Sequence, residues 1–348
     1  MATPIPSRQI AKHATHLLKS VFGRNGSHSP DRDTELVGQL VATCVKLLRD
    51  SASLGDIKIL NTTLKELRYA FKVFAQYRDV RKVSTFGSAR TQVDDPEYRL
   101  ARDFAHAIAQ EHFMVITGAG GGIMRACQEG AGRARSFGVN IRLPFEQSAN
   151  EFIESDTKLM NFKYFFTRKI LFIKEAHAVV LFPGGFGTLD EAFEALTLVQ
   201  TGKTEPMPIV FLDVPRGTYW KAWAQYVTDH LVRRELVSEE DLSLFLVTDD
   251  VSDAVRELTT FYRIYHSMRT VGQRTVLRLT QPIGDDVVQR LNAEFADILR
   301  SGTITQGRAL PAEAEESALA HLPRLIMDFN RTNHGRLRQL INVVNRDG

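Results

Sequence analysis

Ala178 to Glu191 reads AVVLFPGGFGTLDE, and this stretch decides the fold. Ala178–Phe182 is a short, wholly apolar run of the kind that fills a strand buried on both faces. Pro183, Gly184 and Gly185 end it, and Phe193, Leu196 and Val199 then recur at helical spacing. A strand, a glycine turn and a helix in succession are the building block of a parallel sheet covered by helices. Glycines at a helix N-terminus let backbone N–H groups approach an anion without a Cβ in the way. A phosphate is therefore expected on Gly184, Gly185, Gly187 and Thr188, with Asp190 and Glu191 turned to the rest of the ligand. Thr188-x-x-Glu191 is also the spacing of a capping box, in which Glu191 would only satisfy the helix end. A capping box does not need three glycines, so they favour the ligand.

Working outward, the same pattern repeats. Upstream lies an apolar helix, expected over Phe162–Ala176, that carries Thr167, Arg168 and Lys169 and leads into the PGG strand. Two adjacent cations there suit a phosphate or a ribosyl hydroxyl, or they are solvated helix charges. Further upstream, Met114–Thr117 reads as a strand that runs into Gly118-Ala119-Gly120-Gly121-Gly122-Ile123-Met124 and then a helix. Its spacing is neither GxGxxG with a ribose-binding acid nor GxxxxGK[ST], so dinucleotide and nucleoside-triphosphate sites are disfavoured. Val83–Phe86 runs into Gly87-Ser88-Ala89-Arg90, a further small-residue turn with a hydroxyl and a guanidinium. Val139–Ile141 and Ile209–Leu212 complete the expected strands. Ligands of open α/β sheets collect at the carboxyl ends of strands, where all these loops lie.

The expected architecture is α/β: a Rossmann-like parallel sheet with helices on both faces over residues 81–266, a helical extension over 1–80 and a small α+β unit over 267–348. The extension opens with a break at Gly23–Pro30 and continues in two helices, marked by Leu36, Leu40 and Cys44, then Leu60, Leu64, Leu67, Phe71 and Phe74. In the C-terminal unit a strand is expected at Val276–Leu279, a helix at Asp285–Leu299, a strand at Gly302–Gln306 and a helix at Ala312–Asp328. In the same unit, Arg324, Arg331, Arg336 and Arg338 gather with His334 and Asn330 around a Gly335 turn. They form either a phosphate-binding cluster or a solvated face turned outward by the stripe of Leu337, Leu340, Ile341 and Val344.

With 43% hydrophobic and 24% charged residues, the 348-residue chain has the balance of a globular protein. No run approaches the length of a membrane span, so no membrane partner is expected. Lys and Arg number 44 against 41 Asp and Glu, a net charge of +3, which gives no general argument for nucleic acid. Cys44 and Cys127 belong to no ligand spacing. A reducing cytoplasm fits, although the first residues, with Arg8, Lys12, Lys19 and Arg24 and no acid before Asp31, superficially look like a transit peptide.

At the motifs quoted above the chain resembles the LOG ("Lonely Guy") family of cytokinin riboside 5′-monophosphate phosphoribohydrolases and the related bacterial nucleotide 5′-monophosphate nucleosidases. The family's PGGxGTxxE is matched at every fixed position from Pro183 to Glu191. Its upstream RKxxM is matched at Arg168 and Lys169, with Phe172 in the place of Met. The resemblance covers roughly Lys82 to Tyr265. It implies a Rossmann-like fold, catalytic roles for Arg168 and Glu191, and a glycine loop at Gly118–Met124 that includes Gly120, Gly121 and Gly122. It further implies a homodimer or larger assembly. The surplus apolar residues Phe193, Ala195, Leu196, Leu198 and Val199 on the helix after the PGG turn agree with that.

The implied reaction is hydrolysis of the N-glycosidic bond of a nucleoside 5′-monophosphate to free base and ribose 5-phosphate. It needs no cofactor, and no metal-ligating cluster is seen, so none is expected. Two other readings stay open: a nucleotide-binding sensor without turnover, and a phosphoribosyl transferase, for which the acidic diphosphate-sugar motif is missing.

Overall fold

The structure is a computed structural model that describes residues 9, 12–17, 30–142 and 149–348. Most of the basic N-terminal stretch and of the expected break at 23–30 lies outside these. The chain forms two compact units, Met1–Lys65 with Leu310–Ala318, and Glu66–Ala309 with Leu319–Gly348. These cuts fall elsewhere than at residues 80 and 266. In the smaller unit, α1 (Pro30–Arg49) and the start of α2 (Leu54–Phe74) leave Leu36, Leu40, Leu60 and Leu64 exposed.

The larger unit is built on seven strands: β1 (Lys82–Phe86), β2 (Met114–Thr117), β3 (Ser136–Ile141), β4 (Leu159–Phe162), β5 (Ala178–Leu181), β6 (Ile209–Leu212) and β7 (Phe245–Thr248). They lie in the order β4-β3-β2-β1-β5-β6-β7, and every pairing is parallel. All five strands expected in this region are present. The two missed ones, β4 and β7, are its edges, where Asn161 and the half-buried Phe245–Val247 give a weak apolar signal.

Alternation along the strands supplies two cores. Met114, Ile116, Val179, Leu181, Ile209 and Phe211 enter one, while Val83, Val115, Ala178, Val180, Val210 and Leu212 enter the other. The first is covered by the last turns of α2, by α5 (Phe165–Lys174) and α6 (Phe186–Gln200), and by Trp220 of α7 (Tyr219–Tyr226). The second is covered by α3 (Pro96–Gln110), α4 (Ile123–Ala131) and α8 (Val251–Phe261). The chain steps outward from β1 in one direction, then returns to β5 and steps in the other. Between β1 and β5 the strand order reverses, which opens a crevice at their carboxyl ends.

A four-stranded antiparallel sheet follows in the same unit, in the order β10-β11-β9-β8: β8 (Tyr265–Val271), β9 (Arg274–Leu279), β10 (Leu299–Gly307) and β11 (Arg324–Phe329). It packs with α9 (Asp285–Glu294) and α10 (His334–Asp347) around Leu277, Leu291, Leu325, Leu337 and Ile341. The helix expected at Ala312–Asp328 is not formed. Its latter part is β11, because Leu325, Met327 and Phe329 all turn to this core at a period of two.

The C-terminal arginines do not form a cluster. Arg324 is buried and donates to the Leu322 and Leu319 carbonyls. Arg336 pairs with Asp297, and Arg338 is buried in an ion pair with Glu257 of α8. The apolar stripe is in the core as expected, yet it does not turn Arg338 outward. Asn345 accepts the Ile264 and Tyr265 amides at 2.9 Å each and donates to the Phe261 carbonyl.

Candidate functional site

Four strand ends supply the crevice. The turn after β1 is held against the PGG turn by the Ser88 amide, which donates to the Pro183 carbonyl at 3.1 Å. Its other side is tied to α4, where the Ile123 amide donates to the Ser88 carbonyl. The Ser88 hydroxyl accepts the Arg90 amide, so it folds its own loop. Gly122 begins α4 at φ +60°, a left-handed setting that favours glycine. A Cβ there would lie 2.2 Å from the Ser88 carbonyl oxygen. Gly118 and Gly120 likewise leave room for Met124, whose side chain a Cβ at either position would meet at under 3 Å.

The PGG turn behaves differently. Helix α6 begins at Phe186 with Gly185 as its N-cap and makes no side-chain cap. Thr188 is thus the third helical residue and Glu191 lies in the second turn, so the capping-box reading is corrected: a helix that starts early needs no help from Glu191. The Thr188 amide donates to the Gly185 carbonyl at 3.0 Å, so it is not available to a phosphate as expected. The amides of Gly185, Phe186 and Gly187, in the first turn, have no intrahelical acceptor. A Cβ at Gly185 or Gly187 would meet nothing within 4 Å, and Phe186 between them is 93% exposed. Tyr219 fixes the turn from behind by donating its hydroxyl to the Gly184 carbonyl at 2.5 Å.

These loops and the face of α5 that carries Phe165, Arg168 and Phe172 enclose a cavity of about 910 Å³. Gly87, Ser88, Arg90, Gly118, Gly120, Met124, Arg168, Gly184, Gly185, Gly187, Thr188, Asp190 and Glu191 all line it. Gly121 and Gly122 do not; they pack beneath the turn after β1. Nor does Lys169, which instead pairs with Asp190 at 2.7 Å and Glu194 at 2.9 Å, with its Nζ 3.8 Å from Glu191 Oε1. Thr85, Asn140, Phe165 and Phe172 line the cavity and were not expected. Only the spacing i−3 and i+4 from Arg168 could have pointed to the two phenylalanines.

Arg168 is half-buried, with its guanidinium 5.0 Å from the Phe165 ring centre and 5.6 Å from that of Phe172. Phe172, in the place of the motif's Met, thus packs beneath Arg168 and edge-on against Phe86. Glu191 is 6% exposed, and its Oε2 has no hydrogen-bond partner. Burial pushes its carboxyl up to about 7 against the opposing pull of Lys169. Lys169 is held above its ordinary value: burial works against its charge, and Asp190 and Glu194 outweigh that. A half-ionised buried carboxyl beside a guanidinium and a row of free amides can hold an anion and stabilise positive charge near it.

Over 169 residues the chain is 31% identical to the cytokinin riboside 5′-monophosphate phosphoribohydrolase of Mycobacterium tuberculosis, covering 45% of this chain and 82% of that protein. The chain belongs to the LOG family. The family model described as "possible lysine decarboxylase" matches residues 121–258, which hold both the Arg168 helix and the PGG turn of this LOG chain. Among solved structures it is similar to the molybdenum cofactor binding protein of Rippkaea orientalis, at 18% identity and TM-score 0.35 over 52% of this chain and 96% of that one. It is also similar to the molybdenum cofactor carrier protein of Chlamydomonas reinhardtii, at 20% identity and TM-score 0.37 over 52% and 98%. Among the described residues no group of His, Cys, Asp and Glu could hold a metal ion, and no helix is long and apolar enough to cross a membrane.

Proposed function

We propose that the chain hydrolyses the N-glycosidic bond of a nucleoside 5′-monophosphate, with the 5′-phosphate on the amides of Gly185, Phe186 and Gly187 and the ribose over Glu191. The observation that carries this is Glu191, a buried carboxyl with one oxygen free of partners, in a glycine-lined cavity large enough for a nucleotide. Family membership and the name of the Mycobacterium tuberculosis relative support the same reaction.

Cleavage of an N-ribosyl bond develops positive charge on the sugar. The ionised Glu191 stabilises that charge and takes a proton from the attacking water. The hydroxyl joins C1′, and the C1′–N bonding pair leaves with the base, which is protonated. Arg168, packed against Phe165 and Phe172, orients the nucleotide or assists the departing base. Asp190 and Glu194 keep Lys169 near Glu191, where it favours the ionised form.

The test is incubation of purified protein with a panel of purine, pyrimidine and cytokinin-type monophosphates, followed by chromatography of the products. Release of base together with ribose 5-phosphate is expected, and inertness towards the whole panel overturns the reading. Of the residues expected to be surplus on α6, Ala195, Leu196, Leu198 and Val199 belong to or pack against the core and only Phe193 stays exposed, so the homodimer or larger assembly that we further propose would use Phe193 with the exposed Phe165, Phe166 and Ile170 of α5. Sedimentation at micromolar concentration checks this, and an active monomer would remove it.

A further inference from the structure

We infer that the larger unit holds a second ligand site, for a small doubly charged anion of the phosphate-monoester type, and that Lys169 links it to the reaction centre. The occupancy of this site rests on its own residues. The link rests on the function proposed above.

The site is a cavity of about 970 Å³ on the other face of the two helices that hold Arg168 and Glu191. Where Phe165, Arg168 and Phe172 of α5 face the first cavity, Lys169, Ile170 and Ile173 line the second. Its far wall comes from residues 78–81, 203–207 and 262–267.

Its chemistry is basic and under-partnered. Five cationic side chains, Arg78, Arg81, Lys169, Lys174 and Lys203, line it against three carboxylates, Asp79, Glu194 and Glu205. Lys169 and Lys174 are already paired, with Glu194 and with Glu175. Arg81 is not: it lies 3.7 Å from the centre of the Tyr262 ring and, among the described residues, makes no ion pair. A desolvated guanidinium without a counterion is costly, and an anion offsets that cost. Burial holds Arg81 below its ordinary value, as expected for a charge that lacks its partner.

Two neutral donors stand beside it. His177 accepts the Lys82 amide at Nδ1, 3.2 Å away, which leaves its Nε2–H as a donor. Burial, then Lys82 and Arg81, push this imidazole down to about 3, so it is uncharged at neutral pH. Tyr265 lines the cavity at 1% exposure, and its hydroxyl has no hydrogen-bond partner. A buried hydroxyl left unmade is unfavourable without a ligand to receive it. A guanidinium, an imidazole N–H and a phenolic O–H around one space match the several acceptor oxygens of a phosphate.

The link is geometric. Lys169 belongs to the wall of the second cavity, while its Nζ is 3.8 Å from Glu191 Oε1. The charged groups around Glu191 are Arg168 and Lys169 from α5 and Asp190 and Glu194 from α6. An anion that draws Lys169 towards itself weakens the attraction that favours the ionised Glu191. The reaction then needs a higher pH.

The test uses the full chain and inorganic phosphate as probe, in calorimetric titrations of wild type, R81Q, Y265F and R168Q, with succinate in parallel. Y265F removes a hydroxyl that holds nothing in the free protein, so folding is expected to be retained. The expected result is a binding event that R81Q weakens roughly tenfold or more, that Y265F also weakens, and that R168Q leaves in place. Phosphate binding that is indifferent to R81Q and Y265F, or that vanishes with R168Q alone, overturns the site. Succinate binding as tightly as phosphate overturns the phosphate assignment. None of these readouts needs turnover, so a protein inert towards nucleotides but with Arg81-dependent binding would refute the proposed reaction and keep the site. With an active substrate in hand, phosphate should raise the pH of half-maximal rate in wild type and leave R81Q unmoved. An equal response in both overturns the link.

Discussion

The two glycine turns look alike in the sequence and differ in what their glycines do. After β2, Gly118 and Gly120 leave room for Met124, and Gly122 combines a positive φ with close approach to the Ser88 carbonyl. After β5, Gly185 and Gly187 would meet no protein atom if they carried a Cβ. The first turn needs glycine for its own packing. In the second only Gly184 is needed for packing, since a Cβ there would lie 2.2 Å from the Thr188 hydroxyl and 2.9 Å from the Ser88 amide, whereas nothing within the described residues requires Gly185 or Gly187, which fits the ligand role proposed for them.

The sharpest way to break this contrast is Glu191→Gln, at the head of the second turn. It should lower hydrolysis by about 10²- to 10⁴-fold with nucleotide affinity retained and thermal stability not reduced. Unaltered turnover would remove Glu191 from the reaction, while affinity without turnover in both proteins would select the sensor reading. A paired substitution tests the glycines themselves. Gly122→Ala combines backbone strain with a carbonyl clash, and should cost about 3 kcal/mol or more of stability in denaturant titrations. Gly187→Ala should change stability by less than about 1 kcal/mol while weakening nucleotide binding. If both variants destabilise alike, the contrast fails.

A third test uses pH. The carboxyl of Glu191 is raised in the folded chain from 4.5 to about 7, so the folded state holds its proton longer than the unfolded one. The stability this group contributes is therefore fully present below pH 4.5 and is lost as pH rises through about 7. Glu191→Gln should gain on wild type between those values, by up to about 3 kcal/mol above pH 7, and match it at pH 4. A constant difference across the range would mean that Glu191 does not titrate there. The smallest effect is expected from Phe172→Met, which restores the family motif. It should cost less than about 1.5 kcal/mol and appear in KM rather than kcat, because Phe172 supports Arg168 without replacing it.

What the sequence revealed follows from range. Central strands such as Ala178–Phe182, apolar on both faces, and Val83–Phe86, with its β-branched Val83 and Thr85, run straight into proline or glycine, so they announce themselves locally. The edges β4 and β7 are covered less, and their residues carry little signal. In β11, Ile326 lies between Leu325 and Met327, which hides the period of two and lets the run pass as helix. The motif residues of the cavity were legible because they sit on single turns. Tyr219 was not, because only the fold brings it to Gly184, 35 positions away. Lys169 was legible as a cation and misplaced as a lining residue, since a step of one position along a helix turns a side chain through about 100°.

Helix α10 is synthesised after every strand of both sheets, yet its Asn345 holds the backbone where α8 passes into β8, and its Arg338 neutralises Glu257. Translation runs from the N-terminus, and domains fold as units as they emerge. The seven-stranded sheet can therefore assemble during synthesis, while the antiparallel sheet waits for the final turns before its core can close. A ribosome stalled before α10 would release a chain with its glycine loops in place and Glu257 still without its counterion. Such a product carries the family motifs and the exposed surface of an unfinished fold, which makes it a substrate for quality-control proteases.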